Sequence, residues 1–439
     1  MKKIDPDEFM VIHDNELGVV YASRKVAIKT TTPEHAQAIE NCLEQYFNEK
    51  LTIQDQQDLE NYMRRSFEDI EDLPIGSCAN LLERNKLHKL EIVVANDCNL
   101  RCRYCYAHGG NYDMPAQRMS PQTAEQYLSK LLLGRYRKVD IVTFFGGEPT
   151  LCPDTIQTIC EFFQNNTNNK MFEELPQFLM VSNGTLIDER IAELIHKYNI
   201  GVTISIDGPM EINDLNRIDA AGNGTFSRIA RGIEILNQAG SPPTLFEATY
   251  TMQHKKMGYT WEGIRDYIKE QFHTENVMIA GCSSGGMEDG LAYEDWNPHV
   301  EDIGKVPFPN IESTAKRLAA KEISDIGCDV AYGSLALLPN GEIYPCHFFI
   351  NHPEFKIAEY INDEFDFTHY NDVKSKFDDI RKSQYERCKD CWAKAVCSSC
   401  PAQFLLQKEY ETDIAATCHI TRTQQAHLIL ECAKINQIE

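Results

Sequence analysis

The chain lacks any apolar run approaching the ~20 residues that a membrane-spanning helix needs, and it has no excess of positive charge. Its 43 Lys and Arg stand against 66 Asp and Glu, for a formal charge of -23. A nucleic-acid backbone would be repelled by such a chain, whereas a cationic peptide would not. Met1-Lys-Lys-Ile-Asp-Pro6 carries no apolar stretch of the kind a secretory signal requires. These absences predict a cytoplasmic protein with neither membrane nor nucleic acid as partner. That compartment keeps thiols reduced, so the 16 cysteines argue for metal or redox work rather than disulfides. At about 150 residues per domain, the length suggests two or three domains.

What is present centres on Glu91-Ile-Val-Val-Ala-Asn-Asp-Cys-Asn-Leu-Arg-Cys-Arg-Tyr-Cys-Tyr106, an apolar strand-like run that delivers Cys98, Cys102 and Cys105 into a short loop. Three thiolates so spaced can each bind one iron of a [4Fe–4S] cube and leave the fourth iron without a protein ligand. The competing reading is a structural zinc site, but zinc usually takes four ligands in paired knuckles, and no second knuckle lies nearby in the sequence. This Cys-x3-Cys-x2-Cys loop, with Tyr104 before the third cysteine, resembles the signature of the radical S-adenosylmethionine (SAM) enzymes. The resemblance implies that SAM occupies the open iron and that an electron from the cluster cleaves it to a 5′-deoxyadenosyl radical.

Residues 1–85 read as a separate module. Phe9–His13, Gly18–Ala22 and Lys25–Thr30 are short β-rich runs, with Asn15-Glu-Leu-Gly18 as a turn between the first two. Thr32-Pro33 and Thr52 open two helices, the first with Ile39, Cys42, Leu43, Tyr46 and Phe47 at three-four spacing. Strands followed by helices are compatible with a winged-helix-like domain. Its layout resembles the leader-recognition element of peptide-modifying radical enzymes, where a peptide adds as a strand at the sheet edge; Lys25–Thr30 is the candidate strand. A structural cap is the alternative. Leu73–Leu87, with Pro74, Gly76 and Ser77, reads as a linker.

From Lys89 to about residue 281, apolar strands alternate with amphipathic helices in six βα-like units, which argues for a parallel sheet with its chemistry at the C-terminal strand ends. The resemblance implies a partial (β/α)6 TIM-like barrel, assigned to residues 86–310. Phe144-Phe-Gly-Gly-Glu-Pro149 follows the second strand; its glycines would let backbone approach a ligand. The resemblance assigns Gly146, Gly147 and Glu148 to the methionyl amine of SAM, and Tyr104 to the cofactor site. Ser182, Ser205 and Asp207 end the third and fourth strands, where hydroxyls and carboxylates either bind a ribose or cap helices. The resemblance implies the ribose. Arg217 corresponds to an arginine that pairs with the SAM carboxylate in the family; a surface ion pair is the alternative.

The last part, residues 311–439, carries Cys328, Cys346, Cys388, Cys391, Cys397, Cys400 and Cys418. Leu338-Pro-Asn-Gly-Glu-Ile-Tyr-Pro-Cys346 reads as an Asn-Gly hairpin whose second strand ends on a ligand. The array resembles a SPASM domain, the auxiliary-cluster extension of radical SAM enzymes, although Cys397 and Cys400 are separated by two residues where the usual pattern has three. By the resemblance, Cys388, Cys391, Cys397 and Cys418 hold one auxiliary [4Fe–4S] cluster. Cys328, Cys346 and Cys400 hold another, which is one thiolate short; either a group such as Cys282 completes it or its iron is open. Cys-x2-Cys pairs also suit zinc.

Taken together, three [4Fe–4S] clusters and SAM are expected, with a flavodoxin or ferredoxin as electron donor. The leading reading is a peptide maturase that installs an intramolecular crosslink in a ribosomally made precursor, a thioether before a carbon–carbon bond. An anaerobic sulfatase-maturing enzyme that forms formylglycine is the second. An iron–sulfur electron carrier or zinc scaffold is the non-enzyme alternative.

Overall fold

The structure is a computed structural model and describes residues 3–76, 81–282, 291, 311–320, 323–406 and 414–436. Strands β1 (Phe9–His13), β2 (Gly18–Ala22) and β3 (Ala27–Thr31) form an antiparallel sheet in that order. The Asp14 carboxylate accepts the Glu16 and Leu17 amides at 2.8 and 3.0 Å, which fixes the first turn. β3 starts two residues later than the sequence suggests, because the chain is still turning at Val26, which holds a left-handed φ of 47°. Helix Pro33–Phe47 begins where Thr32 accepts the His35 amide, and helix Ile53–Arg65 where Thr52 accepts that of Asp55.

One face of this small sheet packs Phe9 and Val11 against Ile39, Leu43, Met63 and Phe67. The other face packs Ile12, Val19 and Tyr21 against Trp392 and against Ile429 and Leu430 of helix Ile414–Asn436. The N-terminal module is therefore clamped to the C-terminal one. The linker is tied down as well: the Leu73 amide donates to Arg24 O and the Gly76 amide to Ile323 O.

Strands β4 (Lys86–Ala95), β5 (Lys138–Gly146), β6 (Gln177–Ser182), β7 (Gly201–Ser205), β8 (Leu245–Tyr250) and β9 (Val277–Gly281) run parallel, side by side in chain order. The predicted helices lie between them, and two short ones that the sequence did not suggest, Met210–Asn216 and Met252–Lys256, follow β7 and β8. β4 is buried without interruption from Leu90 to Ala95, as a parallel strand covered on both faces should be.

Four further strands, β10 (Ser334–Leu337), β11 (Glu342–Tyr344), β12 (Ala358–Ile361) and β13 (Glu364–Asp366), extend this sheet. β10 pairs parallel with β4, and β11 to β13 follow antiparallel. The hairpin between β10 and β11 turns at Gly341, with φ 85°, a conformation glycine adopts without penalty. Leu335, Leu337, Ile343 and Phe377 share one core with Leu90, Ile92, Phe144 and Phe178. The C-terminal cysteine-bearing segment is thus continuous with the barrel sheet rather than appended to it. The Cys282 to Cys328 connection lies outside the described residues except at 291, 311–320 and 323–327.

Because that core is shared, Leu335→Ala, at a position with no exposure, is expected to cost about 2–5 kcal/mol and to lower one common unfolding transition. Two melting steps, only one of them shifted, would show that the C-terminal segment folds independently.

Candidate active site and auxiliary cysteine cavity

The C-terminal ends of β4 to β9 surround a cavity of about 470 Å³ lined by Cys98, Cys102, Tyr104, Cys105, Gly146, Gly147, Ser182, Ser205 and Arg217, among others. The predicted radical-type loop and most of the predicted SAM contacts are therefore brought to one place. Burial, with the neighbouring Glu148, pushes the Cys98 thiol up to about 12. Burial likewise takes Cys102 to about 11, against the opposing charge of Arg217. A metal centre bound here would supply the positive charge that favours their thiolate forms.

The two glycines, which line the cavity, also have a packing role. A Cβ on Gly147 would lie 2.3 Å from Asp97 O, and one on Gly146, at φ +135°, would lie 2.1 Å from Ala95 O. They let the loop after β5 lie directly on the cysteine loop after β4, where the Gly147 and Glu148 amides donate to Ala95 O and Asp97 O at 2.8 and 3.0 Å.

Glu148 and Asp207 are placed differently from the expectation. Both are fully buried and neither lines the cavity. The Glu148 carboxylate accepts from Thr150 N (3.0 Å), Thr150 Oγ1 (2.5 Å), Ser182 Oγ (2.8 Å) and Asn183 N (2.7 Å). It holds the ends of β5 and β6 together, and burial still raises its pKa despite these donors. Asp207 accepts from Tyr104 Oη at 3.0 Å and from Thr249 N at 3.1 Å. Tyr104 in turn accepts from Arg217 Nη1 at 2.6 Å. Arg217 is a buried part of the cavity wall, not in a surface ion pair, and its Nε has no hydrogen-bond partner among the described residues.

Other residues enter this site without having been singled out. Asn183 Nδ2 lies 3.7 Å from Cys98 Sγ. Glu91 projects from β4 and accepts from His347 N at 3.1 Å, from His347 Nδ1 at 3.0 Å and from Lys89 Nζ at 2.5 Å. Burial alone would raise its carboxyl, but His347 and Lys89 hold it well below the usual range. A lone acid in an apolar strand was the available signal for Glu91, and adjacency to Cys346 the one for His347. Phe145 stacks on His347 with ring centres 4.5 Å apart, while Tyr106 and Phe348 complete an aromatic wall. Glu247 also lines the cavity, with burial raising its pKa.

The C-terminal cysteines form two sets. Cys388, Cys391, Cys397 and Cys418, together with Cys328, line a second cavity of about 190 Å³. Burial, then the charges of Cys397, Cys391 and Cys418, pushes Cys388 up to about 12. Cys346 is raised by burial and by the charges of Glu91, Cys400 and Cys328, and Cys400 is raised by burial and by Cys328. This trio bridges the cavities, since Cys328 lines the second and His347, next to Cys346, lines the first. Cys282 lines the first cavity. Among the described residues, no three Cys, His, Asp or Glu side chains close on a single-ion site.

The sequence profile of the Radical SAM superfamily matches residues 92–270. An uncharacterized protein of Methanocaldococcus jannaschii is 34% identical over 262 residues, 58% of this chain and 84% of that one. The radical SAM cyclopropyl synthase TigE of Paramaledivibacter caminithermalis is 28% identical over 35% of this chain and 33% of its own length. A cysteine-type anaerobic sulfatase-maturating enzyme of Clostridium perfringens is 32% identical over 33% of this chain and 39% of its own. The chain thus spans little more than a third of these two named enzymes. A solved structure, native anSMEcpe with bound AdoMet, superposes with a TM-score of 0.59 at 19% identity, covering 79% of this chain and all of that one, and so shares its fold. The chain belongs to the radical SAM superfamily and is an enzyme of that class.

Removing one partner from a buried ion pair leaves the other charge uncompensated. Glu91→Ala is expected to lower stability by about 3 kcal/mol, read by thermal or denaturant unfolding. Because the folded carboxyl is depressed, its contribution is present above the unfolded value of about 4.3 and is lost as pH falls below it. Wild type should therefore lose its advantage over Glu91→Ala on acidification; an advantage that stayed constant down to strongly acidic pH would contradict the assignment.

Proposed function

We propose that this enzyme binds SAM in the larger cavity and modifies a residue of a ribosomally made precursor peptide, installing a crosslink, with a thioether as the favoured product. The single observation that carries this reading is the composition of that cavity: the Cys98 loop and the SAM-type strand ends form one side, and Tyr106, Phe145, His347 and Phe348 form an aromatic wall that leads to Cys346. A [4Fe–4S] cluster held by Cys98, Cys102 and Cys105 would supply the electron that cleaves SAM reductively.

The chain's own residues have separable tasks. Gly146 and Gly147 expose backbone to the methionyl end of SAM, with Glu148 fixing the loop from behind. Ser182 and Ser205 face the ribose, and Asp207 and Tyr104 orient Arg217, whose unpartnered Nε supports a role in pairing with the SAM carboxylate. Cys388, Cys391, Cys397 and Cys418 suit a second [4Fe–4S] cluster in a SPASM-type module. Cys328, Cys346 and Cys400 suit a third, whose free iron position would favour thiolate binding by a substrate cysteine. A flavodoxin- or ferredoxin-type donor would deliver electrons. No described helix is long and apolar enough to cross a membrane.

Formylglycine formation in a sulfatase is the second reading, supported by similarity to a serine-type anaerobic sulfatase-maturating enzyme of Klebsiella aerogenes over 72% of this chain. The N-terminal module favours the first. Beside the open edge of β1 runs a groove of about 520 Å³ with Phe9, Val11, Leu43 and Phe47 on its apolar side and Glu40 and Glu44 on its rim. It supports β1, rather than the strand near Lys25–Thr30, as the edge to which a leader adds.

Replacing Cys98, Cys102 and Cys105 together by Ala is expected to abolish 5′-deoxyadenosine formation while about eight of roughly twelve irons per chain remain, given four per cluster. Continued SAM cleavage by that variant would refute the assignment. For the leader, Phe47→Asp should weaken precursor binding at least tenfold by fluorescence anisotropy, whereas Ile28→Pro on the opposite edge should not. Equal affinities for wild type and Phe47→Asp, with circular dichroism unchanged, would reduce the module to a structural cap. Modification of a sulfatase-motif peptide but not of a leader-bearing precursor would favour the second reading.

A further inference from the structure

Lys382 is a buried cation that the active-site cavity does not use. It is 5% exposed and lines the smaller cavity beside Cys388, Cys391, Cys397 and Cys418. Its ammonium donates to two neutral carbonyls, Lys394 O at 2.8 Å and Cys397 O at 3.0 Å. Asp325, whose backbone carbonyl accepts the Lys382 amide, commits its carboxylate elsewhere: to Ser383 N and Oγ at 2.7 and 2.8 Å and to Arg381 at 3.6 Å. The Cys397 carbonyl accepts from a second cation as well, Arg317 Nη1 at 2.7 Å. Two positive side chains therefore converge on the backbone of one cysteine; Arg387, Lys394 and Arg422 also line this cavity, but Lys382 is the buried one.

Taking an ammonium out of water with only neutral acceptors is strongly unfavourable unless an anion lies close by. The described protein groups do not supply that anion at ion-pair distance. An iron–sulfur cluster on the four cysteines would, because its thiolates and sulfides make it anionic, and one-electron reduction adds a further negative charge without adding a proton. A fixed positive charge at this range favours the more negative, reduced state.

We propose that Lys382, seconded by Arg317, is the built-in counter-charge of the auxiliary iron–sulfur site on Cys388, Cys391, Cys397 and Cys418, and sets its reduction potential above that of the same site without them. This rests on the reading of those cysteines as cluster ligands. In the reaction proposed above, one electron must leave the peptide as the new bond forms, and a raised potential makes an auxiliary cluster the better acceptor for it. Lys382 acts through the cluster and is a positioning residue, not a catalytic one.

The test uses the full-length, reconstituted protein and compares wild type with Lys382→Met, Lys382→Arg and Arg317→Gln. Iron and zinc are measured per chain, and auxiliary midpoint potentials are read by redox titration followed by electron paramagnetic resonance. Lys382→Met should keep its iron and shift one auxiliary midpoint to more negative potential. Lys382→Arg, which preserves the charge, should stay near wild type, and Arg317→Gln should shift the same midpoint in the same direction by less. Unchanged potentials in Lys382→Met at full iron content would overturn the proposal, leaving a purely structural clamp on the 394–397 turn. If Lys382→Met fails to retain iron, Arg317→Gln decides: a negative shift supports the proposal and none overturns it. Wild type that binds zinc, or no auxiliary iron, would overturn the cluster reading and this inference together, while reductive cleavage of SAM at the Cys98 loop would be unaffected.

Discussion

A buried carboxylate cannot be left without donors, and the way Glu148 is satisfied fixes the geometry of the site. Its oxygens collect four donors from Thr150, Ser182 and Asn183, while the backbone just before and at it donates to Ala95 and Asp97, where the cysteine loop begins. Three strand ends are thereby registered against one another at the mouth of the parallel sheet. Asn183, held at its amide by Glu148, reaches Cys98 with its side chain. The glycines ahead of Glu148 are needed because the two loops touch backbone to backbone, so a single methyl group there would separate the cysteine loop from the cavity it lines.

The same accounting of charge runs through the rest of the molecule. Arg217 is matched by Tyr104 and Asp207, and Glu91 by His347 and Lys89. The Glu91 pair also joins β4 to the cysteine-bearing segment, on the strand where β10 extends the barrel sheet. Radical-type loop, aromatic wall and Cys346 are therefore held by one rigid framework.

Much of the fold was legible because parallel strands buried on both faces read as apolar runs separated by capped amphipathic helices. The six strands and their main helices lie close to where periodicity put them. The short helices Met210–Asn216 and Met252–Lys256 escaped notice since one or two turns carry too little periodicity, and β3 was read too early because Val26 looks like a strand residue although it completes a turn. The auxiliary cysteine groupings were what the family resemblance implied; the structure places Cys388, Cys391, Cys397 and Cys418 around one cavity, which Cys328 also lines. Glu148 and Asp207 were read as facing SAM because motif position says which strand end a side chain occupies and not which way it points.

The sequence by itself determined the chemistry that could be hosted: ten thiols in two arrays, a glycine-rich loop one strand after the first array, and a strand-helix alternation that sends both to the same sheet edge. These are properties of residue type and spacing, and local propensity and ligand chemistry act on them directly. Only the tertiary structure decided that β10 would pair with β4, that the N-terminal sheet would lie on Trp392 and the last helix, and which charges would meet in the interior. Those outcomes depend on contacts between residues hundreds of positions apart, such as Glu91 with His347, and on the requirement that every buried charge find its partner in space, which no local pattern encodes.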